Sequence, residues 1–359
     1  MFVAWRDLRF AKGRFTLMGT VIVLITLLVG LLSGLTAGLA RENVSAITGL
    51  PADRLAFAAP PSGQSVSFTN STVTEEQWSR WSERPGVTEA EPLGIRTLNA
   101  AAGDRTAAVS AFGTEAGSGL APAPVGPGKA VLSESAAEEL GVDAGDAVRL
   151  GPLEVTVTAV SGDASYSHTP VVWTSLDDWQ KFGHSGTTPQ EQATVIALTG
   201  DGGTDWAAGD KAAGTEARTI DGALTAIGSY QAENGSLQLM RGFLFAISAL
   251  VIGAFFTVWT IQRSGDVAVL KALGASTPYL LKDALGQAVL MLTAGTLLGT
   301  VLAVGIGALV SGGNVPFVLE PLTVLGPAAV IIVLGVLGAA LSIRRITAVD
   351  PLTALGSAR

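Results

Sequence analysis

Tyr230, Glu233, Leu237 and Arg241 recur at steps of three or four residues, so they fall on one face of a helix, with Asn234 and Met240 beside them. They precede a long apolar run, and Arg41 and Glu42 close an earlier one, so the sequence brings both groups to one side of a membrane. Tyrosine and glutamate can ligate ferric iron, methionine packs on aromatic macrocycles, and arginine pairs with carboxylates. Such a set suits an amphipathic, carboxylate-bearing molecule such as heme. The same residue types also anchor helices at a membrane interface, Tyr and Arg above all, and spacing alone does not choose between the two roles.

A second set lies between the apolar run Gly242 to Thr260 and another beginning at about Ala284. Arg263, Asp266 and Lys271 share one face at helical spacing, while Val267, Leu270 and Leu273 form an opposing apolar stripe, with Val269 beside it. Gly274 stands where a helix C-cap favours glycine, and Pro278 blocks direct continuation. A short amphipathic helix at a membrane surface either lies on the bilayer or docks into a partner.

Other chemistry is missing from the sequence. It has no G-x-x-x-x-G-K-[ST] phosphate loop, no His-Glu-x-x-His and no G-x-S-x-G elbow, so neither ATP hydrolysis nor a hydrolase is expected of this chain. Cysteine is absent, which removes disulfides and thiolate sites. His168 and His184 fall in separate apparent loops and read as solvated residues, not as metal or heme ligands. The tryptophans Trp78, Trp81, Trp173, Trp179 and Trp206 read as packing residues.

The elements that must position these groups follow from hydropathy. With mean hydropathy +0.46 and 14% charged residues over 359 residues, the chain reads as an integral membrane protein. Residues 1–15 look like a cationic interfacial elbow helix; residues 16–40, 238–260, 284–310 and 322–343 read as four transmembrane helices. The first is too long for the apolar region of a signal peptide. Within it Gly30, Gly34 and Gly38 mark a small-residue face for contact with another helix, its own copy included. Residues 41–237 form an extracytoplasmic domain, 261–283 a cytoplasmic coupling loop, 311–321 a short outer loop and 344–359 a cytoplasmic tail. The segments placed inside (1–15, 261–283, 343–359) hold ten Lys or Arg against four Asp or Glu, and the rest of the chain 12 against 26. By the positive-inside rule both ends are then cytoplasmic, and an acidic exterior excludes nucleic acid as a partner.

The 41–237 stretch mixes β-type runs with capped helical pieces. Strands are expected at 65–68, 107–111, 130–132, 147–150, 154–160, 171–174 and 194–198, and helices at 74–81 and 133–140, the latter with a serine start and Gly141 as its stop. Gly145-Asp146 makes a turn, and Val148 and Leu150 alternate inward on the following strand. The fold class is therefore an α+β membrane protein: four transmembrane helices with a mixed α/β extracytoplasmic domain inserted between helices 1 and 2.

Three segments carry a resemblance. The loop R-S-G-D-V-A-V-L-K-A-L-G-A (263–275), the helix and strand motif S-E-S-A-A-E-E-L-G-V-D-A-G-D-A-V-R-L-G (133–151) and the tail R-R-I-T-A-V-D-P-L-T-A-L (344–355) occur in the order seen in FtsX-like, MacB-type (type VII) ABC transporter permeases, and the chain is most similar to their heme-exporter branch. The resemblance implies a homodimer in a bacterial plasma membrane, with two copies of a separate cytoplasmic ATPase holding ATP and Mg, and no cofactor or metal in this chain. It implies an efflux pump working by mechanotransmission, in which closure of the cytoplasmic ends moves the outer domains. Arg263, Asp266, Val269, Leu270, Lys271, Leu273 and Gly274 would then couple to the ATPase. Heme is the expected substrate, bound by Arg41, Glu42, Tyr230, Glu233, Asn234, Leu237, Met240 and Arg241. Antibiotic, peptide or lipid-like substrates, or a signalling permease acting on a cell-wall protein, are the alternatives.

Overall fold

The computed structural model describes residues 12–183, 191–311 and 315–347. In chain order the elements are α1 (Lys12–Thr48), β1 (Arg54–Ala58), β2 (Val73–Thr74), α2 (Glu75–Ser82), β3 (Val87–Ala102), β4 (Arg105–Thr114), β5 (Lys129–Leu132), α3 (Glu134–Leu140), β6 (Ala147–Leu150), β7 (Leu153–Val160), β8 (Ser165–Tyr166), β9 (Thr169–Ser175), α4 (Leu176–Lys181), β10 (Gln192–Ala193), β11 (Val195–Gly200), α5 (Trp206–Ala213), β12 (Thr215–Thr219), α6 (Ile220–Ala223), α7 (Gly228–Gln262), α8 (Ser264–Ala272), α9 (Thr277–Val310) and α10 (Pro321–Thr347). They divide into two units, residues 39–235 and the residues on either side of that stretch. Residues 1–11 of the elbow expected at 1–15, His184 and the tail from 348 onward lie outside the described residues, and residues 12–15 are the start of α1.

The membrane unit is built on four helices long and apolar enough to span a bilayer, at Thr16–Thr48, Gly228–Gln262, Thr277–Val310 and Pro321–Ile343. Its surface is apolar: Leu239, Leu250, Val301, Leu309 and Leu341 are all more than half exposed, as lipid solvation requires. The glycine face of α1 is filled from within the chain. A Cβ at Gly30 would lie 2.8 Å from Ala303, one at Gly34 2.3 Å from the Phe317 ring, and one at Gly299 of α9 2.7 Å from Thr26. Glycine therefore lets α1 and α9 approach closely and admits Phe317 from the outer loop, so this face is occupied without a second copy.

The outer unit is a ten-stranded mixed sheet in the order β12-β1-β11-β3-β4-β9-β5-β7-β6, with β8 beside β9. Because β3 also pairs with β6, the strands from β3 to β6 close into a ring. Inside it Ala100, Val109, Leu132, Val148, Leu150 and Val172 pack with Leu140 of α3. Elsewhere the sheet sorts by strand alternation: Leu55, Phe57, Phe112, Val195 and Ala197 face one core, while Ala56, Ala111, Ile196 and Leu198 face another under α2, α4 and α5. Ser133 caps α3 by accepting from the Ala136 N–H at 3.3 Å, and Gly141 ends it at φ 66°.

Three sequence expectations change. Residues 65–68 form no strand; Val66 and Phe68 are instead buried pegs in the core, because burial there is met by a loop without ladder pairing. The helix expected to end at residue 40 runs on to Thr48, since hydropathy marks where lipid ends and not where the helix ends; Ala46 and Ile47 enter the outer domain's core. The helix of the second span likewise starts at Gly228, ten residues before the expected start at 238.

Candidate functional site

The outer domain gathers its polar chemistry at a two-residue hairpin. Tyr166 and Thr169 pair across a turn made by Ser167 and His168, both at positive φ (51° and 62°). Such turns favour Asn-Gly, and non-glycine residues in this region are held there by their surroundings at a cost of about 1 kcal/mol or more each. The restraint comes from α1: the Ser167 N–H donates to the Asn43 carbonyl at 3.0 Å, the His168 N–H to the Glu42 carbonyl at 3.3 Å, and the Ser165 N–H to Ser45 Oγ at 2.9 Å.

Side chains extend the restraint. Ser167 Oγ meets Ser229 Oγ at 2.8 Å, and Ser229 donates to Asn43 Oδ1 at 2.7 Å. Asn43 is 1% exposed, and its Nδ2 donates to Glu233 Oε2 at 3.3 Å. His168 Nε2 lies 2.9 Å from the same carboxylate oxygen, and Nδ1 lies 3.7 Å from Glu42 Oε2. A carboxylate only accepts, so Nε2 carries the proton, and the 3.1 Å approach of Asn43 Nδ2 to that nitrogen is a close contact between two donors aimed at one oxygen. Burial first, then Glu138 and Glu42, push the carboxyl of nearby Glu139 above its usual range. The site is thus an imidazole between two carboxylates on an acidic flank. Buried polar groups in such a network hold one another in place.

This arrangement places the expected substrate residues unevenly. Glu42 and Glu233 touch the network, and Tyr230, three residues before Glu233 on α7, packs half-buried against the outer core. Arg41 and Asn234 belong to the same unit and make interactions of their own. Leu237, Met240 and Arg241 belong to the membrane unit, further along α7; Leu237 is half-buried and the other two are exposed. His168 is exposed in its turn, as the solvated-loop reading expects, but it is also the hub of this network, which that reading missed. Its loop is pinned to a helix end by backbone hydrogen bonds that a sequence does not display.

The coupling segment forms α8, and its end has the geometry that Gly274 predicts. The Ala275 N–H reaches the Leu270 carbonyl and the Gly274 N–H the Lys271 carbonyl, both at 3.0 Å, with Gly274 at φ 96°. This is the paired C-terminal closure that needs a left-handed residue. The faces differ from the expected stripe: Ala268 is the buried residue, Leu270 and Lys271 are partly covered, and Val269 and Leu273 stand 54% and 80% exposed, one turn apart. Arg263 turns inward, stacking 5.1 Å over Trp259 and donating to Gln287 Oε1, so it fixes the loop to α9. Asp266 falls within α8; its side chain lies outside the description.

The family model of the MacB-like periplasmic core domain matches residues 15–216, and that of the FtsX-like permease C-terminal region matches residues 239–351. The chain belongs to the FtsX- and MacB-like ABC transporter permeases. A relative of this permease from Staphylococcus haemolyticus carries the name hemin transport system permease protein HrtB and is 27% identical over 370 residues, 99% of each chain. A protein of the same name from Staphylococcus epidermidis is 24% identical over 364 residues, again 99% of each. A Mycobacterium tuberculosis ABC transporter permease, uncharacterised by name, is 25% identical over 372 residues and 99% of each chain. Among solved structures, the extracellular domain of the noncanonic ABC-type transporter YknZ from Gram-positive bacteria covers 48% of this chain and 92% of its own length, at 16% identity and TM-score 0.33. The periplasmic region of MacB from Actinobacillus actinomycetemcomitans covers 49% and 92%, at 11% identity and TM-score 0.35. In this permease the periplasmic core match takes in the Ser167-His168 hairpin, and the FtsX-like match takes in α8 with Gly274. Membership of an ABC transporter implies an ATPase partner. The one sequence signal that could have exposed His168 is the tight Tyr-Ser-His-Thr step between two strands, and Ser-His is a poor hairpin signature.

Proposed function

We propose that this permease exports heme, and that the His168 cluster with Tyr230 is where the outer domain receives it. The observation that carries the reading is the meeting of His168 with Glu233 and Glu42, with Tyr230 on the same helix as Glu233: histidine, tyrosine and carboxylate are all ferric-iron ligand types. The full-length similarity to proteins named as hemin transport permeases supports it. The permease works as a homodimer with two copies of a separate ATPase, both termini cytoplasmic. ATP supplies the work by mechanotransmission: the ATPase holds α8 through Val269 and Leu273, and its closure is passed outward along α1 and α7, each of which contributes residues to both units. Lys271 and Gly274 set the pitch and end of α8 at that contact.

The test is an absorbance titration of the purified permease and its ATPase in detergent with hemin. A saturable Soret shift is expected, weakened about tenfold or more by His168→Ala and abolished by a Tyr230→Ala, Glu233→Ala, His168→Ala triple variant. A parent that gives no saturable shift, or a triple variant that keeps it, overturns the heme reading and leaves an ABC permease for another substrate.

A further inference from the structure

A cavity of about 400 Å3 opens in the outer domain where the sheet is interrupted; Arg96, Thr97, Trp179, Gln192, Thr194 and Tyr166, the residue before the Ser167-His168 turn, are among its lining residues. β3 pairs with β11 only as far as Leu93 and with β6 only from Ala100, so between these points one of its edges carries no neighbouring strand among the described residues. Along that edge the Ile95 N–H and C=O are both taken by Thr194 Oγ1, at 2.8 and 3.2 Å, and the Asn99 C=O accepts from the Gly151 N–H at 3.4 Å. Backbone groups alternate in direction along a strand, so the N–H and C=O of Thr97, midway between these two, point to the same open side.

Arg96 supplies the charge. Its guanidinium lies 5.1 Å over the Trp179 ring, and Trp179 in turn sits in a slot left by Gly94 and Gly113, partners across β3 and β4, where a Cβ on either would come within 2.3 Å of the indole. The ring holds the guanidinium by its face and the Gly183 backbone packs against it, while no hydrogen bond of its donors is made among the described residues. Arg96 is the one charged side chain among the lining residues described; the others are hydroxyls, an amide and apolar groups. A cation so placed selects a carboxylate that none of the described lining residues supplies.

We propose that this cavity binds a short, extended acidic peptide, about three residues long at ~3.3 Å per residue, whose backbone adds to β3 at Thr97 and whose carboxylate meets Arg96. Strand addition supplies the main-chain bonds and the arginine the specificity. A volume of about 400 Å3 falls within the ~300–1,000 Å3 of ordinary ligand sites.

The probe is N-acetyl-Val-Glu-Val-amide, whose only charge is the glutamate, titrated calorimetrically into the full-length permease in detergent. Saturable binding is expected, weakened about tenfold or more by Arg96→Gln or by glutamine in the probe, and weakened by N-methylation of the probe's central amide. An unchanged hemin titration and thermal midpoint show that Arg96→Gln remains folded. Absence of saturable heat at millimolar probe, or equal binding by parent and Arg96→Gln, overturns the proposal. Glutarate binding as tightly as the peptide overturns the strand addition and leaves a simple anion pocket.

Discussion

Asp178 is a carboxylate with a 4% exposed side chain, accepting from the Gly128 N–H at 2.6 Å and from Lys181 Nζ at 3.0 Å. Burial alone would raise its pKa, but the Gly128, Lys181 and Ser175 hydrogen bonds outweigh it and hold the carboxyl below the usual carboxylate range. A depressed folded value means the stabilisation is present above the unfolded pKa of about 3.9 and is lost as pH falls through the folded one. Asp178→Asn should therefore cost about 1–3 kcal/mol at pH 7, and the gap between parent and variant should close as the pH drops below about 4. Thermal unfolding at a series of pH values measures it; a gap that persists at pH 3 would assign the effect to packing. At this scale the sequence was least legible. Glu233 and Tyr230 could be picked out because helical spacing is local, whereas His168 depends on Asn43 and Glu233, 125 and 65 residues away, and only folding brings those three together.

Elements with local signatures were readable, and those defined by distant partners were not. α3 announced itself with Ser133 and Gly141, and α8 with Gly274, since caps are written within a few residues. The sixteen-residue β3 begins Val-Thr-Glu-Ala-Glu-Pro, a loop-like composition, and exists because β11, β4 and β6 all pair with it. The same strand explains a glycine pair that composition would assign to turns. Gly94 and Gly113 lie opposite each other mid-strand, and Trp179 fills the space their missing side chains leave. Gly113→Ala must displace an indole body, not a flexible tip, so we expect a loss of about 1–3 kcal/mol, read as a fall of several degrees in the thermal midpoint. Gly228→Ala, where an added Cβ meets nothing within 4 Å, serves as the control and should stay within about 0.5 kcal/mol of the parent. Equal effects at the two sites would show that Trp179 yields without strain.

For the whole molecule, the decisive quantity is which side of the bilayer each unit faces. In the proposed topology the 261–283 loop and the segments near both ends, where Lys and Arg are in excess, lie on the cytoplasmic side. On that topology α8 would face in, and its exposed Val269 and Leu273 would be open to an ATPase. The absence of native cysteine makes the arrangement directly testable, because any thiol is one that has been introduced. Asp104 stands exposed at the β3 to β4 turn and Leu273 is 80% exposed at the end of α8, so Asp104→Cys and Leu273→Cys report on opposite faces without disturbing a core. In intact cells a membrane-impermeant maleimide should label Asp104→Cys fully and leave Leu273→Cys unlabelled until the membrane is permeabilised. The reverse pattern would invert the permease and remove α8 from reach of any cytoplasmic ATPase. Labelling of both in sealed cells would place the two units on the same side, and α1 and α7 could then not carry ATP-driven motion from one face to the other.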